Sequence, residues 1–160
     1  MPADTALYGW LIGSWDLDVG EVLEDGSTRR RSGEWHFSWV LEGRAIQDVW
    51  IVPRRGERRA GDATAAREYC GTTLRVYDPA IGAWHIQWTD PVIQAYLSMI
   101  GRREGPDIVQ LGKDAAGNLR RWSFSEIAAD SFRWRGEISL DQGATWHCHT
   151  DFRARRAGAG

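Results

Sequence analysis

Lysine is all but missing from this chain: nineteen of its twenty basic residues are arginine, and Lys113 is the only lysine. The acids balance them to a formal net charge of −2, which argues against an electrostatic nucleic-acid binder, since that needs a basic face. With that balance, the arginine excess reads as a coding bias and not as a phosphate-binding device. Cysteine is scarce as well, with Cys70 and Cys148 alone and no Cys-x-x-Cys pair, so neither a disulfide scaffold nor a paired zinc motif is expected. No run approaches the roughly 18 apolar residues of a membrane helix. The opening Met1-Pro2-Ala3-Asp4 lacks the basic and apolar regions of a secretory signal. The expectation is a cytoplasmic protein with reduced thiols, no membrane and no nucleic-acid partner. Gly-x-Ser-x-Gly elbows, P-loops and dinucleotide fingerprints are also lacking.

What the chain has in excess is tryptophan, ten in 160 residues. Several alternate with polar residues, as in Trp35-His36-Phe37-Ser38-Trp39, Trp84-His85-Ile86-Gln87-Trp88 and Trp122-Ser123-Phe124. Side chains two apart on a strand share a face, so each segment lays an aromatic row along one side of a sheet. Turn signals recur between these runs, among them Asp25-Gly26, Glu42-Gly43, Asp78-Pro79, Asp90-Pro91, Gly105-Pro106 and Gly117-Asn118. The pattern is an all-β meander. Strands are expected near 14–23, 29–41, 44–53, 68–78, 83–90, 94–103, 107–113, 119–127, 131–140 and 145–154. They form one domain over residues 1–160, an antiparallel up-and-down barrel of about ten strands. A short helical turn precedes it, capped by Asp4 or Thr5 and carrying Leu7, Trp10 and Leu11 at helical spacing. The arginine-rich stretch 53–67 reads as a solvated hairpin tip, with a lid over the barrel mouth as the alternative, and residues 153–160 read as a frayed end.

If Glu42-Gly43 is a two-residue turn, Trp39 faces Ile46, Phe37 faces Asp48 and Trp35 faces Trp50, so Arg44 and Asp48 share the aromatic face. On the next aromatic strands Trp122, Phe124 and Glu126 share a face, as do Phe132, Trp134 and Ile138, and Trp146, Cys148, Thr150 and Phe152. The candidate ligand-binding set is therefore Trp35, Phe37, Trp39, Arg44, Asp48, Trp50, Trp84, Trp88, Tyr96, Trp122, Phe124, Glu126, Trp134 and Trp146. Asp48 and Glu126 are the candidate catalytic acids. An inward carboxylate must be paired, hydrogen-bonded or protonated, and pairing with Arg44 or an indole N–H is the plainer expectation. His36, His85, His147 and His149 alternate with the inward residues and are read as outward, so no metal site is expected. Cys70, grouped with Thr72, Leu74 and Val76, reads as an inert core thiol.

The run Leu11-Ile12-Gly13-Ser14-Trp15, a helical turn followed by Gly-x-Trp at the first strand, resembles the calycin superfamily of lipocalin-like barrels. Trp-Val-Leu-Glu-Gly-Arg at 39–44 and Leu-Arg-Val-Tyr-Asp-Pro at 74–79 are similar to a bacterial group of such domains. The resemblance implies that Trp15 closes the barrel base against a basic residue of the last strand, Arg153 or Arg155. It also implies a small hydrophobic ligand inside the barrel, which the aromatic rows extend to an aromatic one; no resident cofactor is expected. One alternative it allows is a cofactor-free lyase, cyclase or isomerase using the inward carboxylates. Another is haem held by His147 or His149 in the manner of the nitrobindins, whose later glycines are replaced here by Leu17 and Val19. A third reading is a homodimer built through exposed faces or sheet edges.

Overall fold

The structure is a computed structural model that describes residues 6–57 and 69–158. Ten antiparallel strands run β1 (Gly13–Val22), β2 (Thr28–Val40), β3 (Ala45–Val52), β4 (Tyr69–Asp78), β5 (Ala83–Asp90), β6 (Ala95–Glu104), β7 (Asp107–Lys113), β8 (Leu119–Ser125), β9 (Ser131–Ser139) and β10 (His147–Arg156). Each pairs with its chain neighbours, and β1 pairs with β10, so the sheet closes into an up-and-down barrel. Closure leaves no strand edge unpaired, which an open sheet of this length would have to protect by other means. Short 3-10 turns stand at Gly9–Leu11 and Arg55–Glu57. The expected caps at Asp4 and Thr5, most of the arginine-rich stretch (58–67) and residues 159–160 lie outside the described residues. The rest of the expected frayed end is ordered: β10 runs through Arg156, and the Ala157 N–H bonds Ser14 O at 2.8 Å.

The inferred β2–β3 register holds, with Trp39 opposite Ile46, Phe37 opposite Asp48 and Trp35 opposite Trp50. The turn differs from the expectation. Val40 and Ala45 are the last pair, and Leu41 to Arg44 form the connection with Leu41, Glu42 and Gly43 all at positive φ. Adding one residue to each side of a turn leaves the register unchanged, but it carries Arg44 off the sheet. Its guanidinium is exposed and meets Glu42 at 2.6 Å.

One end of the barrel is solid. Leu7, Tyr8 and Leu11 insert from the N-terminal turn onto Trp15, and all four are buried. Trp15 Nε1 donates to Leu11 O at 2.8 Å, and Phe132 meets the indole edge-on at 4.7 Å between ring centres. The basic residue over Trp15 is Arg156, 4.3 Å from the ring centre, and not Arg153 or Arg155. Alternation on β10 explains the correction: Phe152, Ala154 and Arg156 point inward, whereas Arg153 and Arg155 are exposed. Arg156 also donates to Ile12 O and Trp10 O at 3.0 Å and to Ala129 O at 3.1 Å, so it ties both ends of the chain to the base.

Above this plug lies a buried polar cluster. Asp48 and Arg75 form an ion pair with no exposure on either side chain. Asp48 also accepts the Thr73 N–H at 3.1 Å. Arg75 Nε and the Tyr8 hydroxyl both donate to Gln110 Oε1, at 3.3 and 3.1 Å. The Arg75 guanidinium lies 5.2, 5.6 and 5.9 Å from the ring centres of Tyr8, Phe37 and Phe124, a distance at which aromatic faces attract a cation.

Candidate functional site

The other half of the barrel is hollow. A cavity of about 480 Å³ opens at the end where β5 meets β6 and β7 meets β8. Five of the ten tryptophans line it, Trp35, Trp50, Trp88, Trp122 and Trp134, together with Tyr69, Phe152 and Leu97. These rings form one contacting set. Trp134 stacks on Phe152 at 4.9 Å, Trp122 meets Trp134 at 5.5 Å and Trp88 at 5.9 Å, and Trp50 meets Trp88 at 5.8 Å. Room for the rings comes from glycines on the inner face. A Cβ at Gly71 would fall on the Trp88 ring and 2.8 Å from Thr89 O, so β4 must leave that position bare for the indole to lie against it.

Six of the fourteen candidate ligand residues therefore line the cavity: Trp35, Trp50, Trp88, Tyr96, Trp122 and Trp134. Tyr96 does so from the rim, since it is mostly exposed and donates to Gln94 Oε1 at 2.7 Å. The remaining eight are elsewhere. Phe37, Trp84 and Phe124 are buried in the plugged half, and Trp84 packs edge-on against Tyr8 at 5.1 Å. Trp39 is half-exposed at the plugged end, beside Gly9. Trp146 precedes β10 and takes the Arg121 guanidinium over its ring at 4.1 Å, outside the chamber. Arg44 stands in the β2–β3 turn.

The two acids also fall outside the cavity lining. Asp48 is inward, as expected, but its partner is Arg75 and not Arg44, and it is sealed in the polar cluster beneath the chamber. Burial pushes its carboxyl up from the ordinary carboxylate range, and the adjacent guanidinium works against that rise. Glu126 lies past the end of β8 at positive φ, exposed on the outside, where it pairs with Arg153 and with Arg133 at 3.6 Å. The Arg153 guanidinium holds its carboxyl below the usual range. Cys70 is likewise displaced: Gly71, Thr73 and Arg75 face inward on β4, so Cys70, Thr72 and Leu74 belong to the outer face.

One wall of the cavity is polar and was not anticipated. It consists of Asp114, Arg120, His149 and Thr150, with Thr73 across the chamber. Arg120 stands two residues before Trp122 and four before Phe124, so strand alternation alone puts it on their face. His149 arrives by another route. Pairing between β10 and β9 jumps from Cys148–Glu137 to Thr150–Gly136, and the extra residue in this bulge is His149. Gly136 leaves the space it occupies, for a Cβ there would approach His149 Cε1 to 2.8 Å. Of the other histidines, His36 lies between Ser14 and Glu34 at 2.8 Å each, His85 bonds Asp78 at 2.9 Å, and His147 is exposed.

Within this wall Arg120 Nε donates to Asp114 Oδ2 at 2.9 Å and Nη1 approaches His149 Nε2 at 3.5 Å. An arginine only donates, so Nε2 is the accepting nitrogen, and Nδ1 carries the proton that it gives to Thr150 Oγ1 at 2.8 Å. Burial and then the neighbouring Arg120 lower the His149 pKa to about 4, which keeps the imidazole neutral at pH 7. Burial opposes ionisation of Asp114, but Arg120 and the N–H groups of Asn118 and Ala116 hold its carboxyl below the ordinary range. No group of three or more His, Cys, Asp or Glu able to hold a metal occurs among the described residues.

The protein is thus a closed ten-stranded antiparallel barrel, plugged at one end and hollow and aromatic-lined at the other. No family model and no curated protein matches the chain. Among solved structures it is similar to EF1p2_mFAP2b bound to DFHBI, at 14% identity over 96% of this chain and 99% of that one, with a TM-score of 0.46. It is also similar to a redesigned β-barrel, b11L5F_LGL, at 15% identity over 92% of each chain, with a TM-score of 0.45.

Proposed function

We propose that this protein binds a small, flat, predominantly apolar or aromatic molecule inside the hollow half of its barrel. The observation that carries this reading is the convergence of five indoles from five strands on one chamber of about 480 Å³, the size range of small-molecule sites. A core built only for stability would fill that volume, because interiors pack to the density of organic crystals. Indole faces offer large stacking area with few rotatable bonds, which suits a planar guest. We place the chain in the lipocalin-like, calycin type on the strength of Trp15 sealed beneath Arg156 at the base.

The acid–base alternative gains no support from Asp48 and Glu126, which face a buried guanidinium and the outer surface. Haem ligation is not favoured either. The bulge does turn His149 inward, but both imidazole nitrogens are already engaged, with Arg120 and Thr150.

The test is native mass spectrometry of protein purified from its own host, combined with a panel of planar aromatics titrated against tryptophan emission. A co-purified aromatic molecule, or saturable quenching that Trp122→Ala weakens at least fivefold, is the expected result. Absence of saturation across the panel, with no retained molecule, would refute the reading.

A further inference from the structure

Hydrogen-bond donors outnumber acceptors along the polar wall, and most of the surplus sits on Arg120. A guanidinium carries five N–H donors in a rigid planar fork. Arg120 commits Nε to Asp114 and one Nη1 proton to His149, and Nη2 has no partner among the described residues. Asp114 has little more to offer, because its Oδ1 already accepts the Ala116 and Asn118 N–H groups at 3.0 Å each. His149 is neutral, with both nitrogens engaged, so its part is to fix the position of Nη1. The Thr150 hydroxyl accepts from His149 and keeps its own proton to donate. Arg29 and Arg31 both carry their charge on the buried Glu21, at 2.6 and 2.7 Å. The indole donors Trp50 Nε1 and Trp134 Nε1, on lining residues, are also buried without an acceptor among the described residues.

We propose that the cavity selects planar aromatic molecules bearing an anionic oxygen group, a carboxylate, sulfonate or phenolate. The rings lie against Trp88, Trp122 and Trp134, and the anionic oxygens lie on Arg120 Nη2 and the Thr150 hydroxyl. The inference rests on the reading of the chamber as a ligand site and adds the chemical class of the ligand. Asp114 offsets part of the Arg120 charge, but it bonds Nε, and with one Nη1 proton on His149 it is Nη2 that is left for the ligand. A planar fork suits a two-oxygen anion better than an ammonium does. His149 acts as a positioning residue.

A matched pair of fluorogenic dyes separates the two levels of the claim. 1-Anilinonaphthalene-8-sulfonate and N-phenyl-1-naphthylamine share one ring system and differ by the sulfonate. The expected result is that Arg120→Gln weakens the sulfonate dye about 10- to 100-fold, the range of a charge-assisted hydrogen bond. The neutral dye stays within twofold, and Arg120→Lys recovers only part of the loss. If both dyes saturate in the wild type but Arg120→Gln moves them equally or not at all, the anion inference falls while the cavity reading stands. If neither dye saturates in the wild type, the cavity reading itself fails. Should Arg120→Gln not fold, Thr150→Val serves instead: a selective severalfold loss of the sulfonate dye supports the inference, and an unchanged ratio of the two affinities overturns it.

Discussion

The buried Asp48–Arg75 pair gives the sharpest test of the packing beneath the cavity. Both side chains are fully enclosed. Asp48→Asn keeps the shape of the side chain but leaves the Arg75 guanidinium without a counter-charge. Breaking one partner of a buried pair costs about 3–5 kcal/mol, because a desolvated charge is left uncompensated. The faces of Tyr8, Phe37 and Phe124 remain around that cation and return about 1 kcal/mol. The expected loss is therefore about 2–4 kcal/mol, a large share of the ~5–15 kcal/mol that stabilises a typical domain. For a chain of this size each kcal/mol moves the midpoint by about 2–4 °C, so Tm should fall by roughly 4–16 °C. The double variant Asp48→Leu, Arg75→Met removes both charges and should recover most of the loss, since an apolar pair of similar volume is often as stable as an ion pair. Urea unfolding followed by circular dichroism measures all three, with neutral-dye affinity read in parallel. A single variant within about 1 kcal/mol of wild type, on a scale where that is a near-neutral change, would refute the account of the pair. So would a dye affinity that shifts in Asp48→Asn while stability holds, because that would put Asp48 in the cavity wall.

Three further outcomes follow from particular contacts. Gly71→Ala puts a Cβ onto the Trp88 ring and should cost about 1–3 kcal/mol, as overpacking does, and weaken neutral-dye binding; unchanged binding would show that Trp88 does not form the wall. Arg156→Met removes donors to three carbonyls and the cation over Trp15, and should lower stability by about 2–4 kcal/mol with little effect on dye affinity, whereas Arg153→Met, on the outer face, should change stability by under about 1 kcal/mol. His149 has a folded pKa depressed to about 4 from 6.5, so the unfolded chain binds more protons between those values. Its contribution to stability is whole above about pH 6.5 and is lost as pH falls towards about 4; His149→Phe should flatten that part of a denaturation-versus-pH profile, and an unaltered slope would contradict the buried neutral imidazole.

Strand alternation made the faces legible. Polar residues between tryptophans fixed which side of β2, β5 and β8 faces inward, and one turn set the β2–β3 register even though the turn proved longer than supposed. Depth along the barrel axis was not legible, because a period of two says which face a residue occupies and not how far along the axis it sits. Phe37, Trp84 and Phe124 face inward as expected, yet they fill the plug, and Glu126 lies one residue beyond its strand. Carried two residues further, alternation puts Arg120 beside Trp122 and Arg156 beneath Ala154, and arginines on an inner face run against the usual sorting of charge to solvent. His149 had no such signal, since a bulge inverts the alternation and only the bare Gly136 opposite makes room for it.

Indole rings from five strands line the chamber proposed to take a planar guest. The decisive measurement is titration of N-phenyl-1-naphthylamine, with tryptophan excited and dye emission recorded. Energy transfer should saturate at one dye per chain, be reduced when Trp88 or Trp122 is replaced by alanine, and be retained in Trp39→Ala and Trp146→Ala. Non-saturating transfer, or equal losses in all four variants, would rule out a guest among these rings.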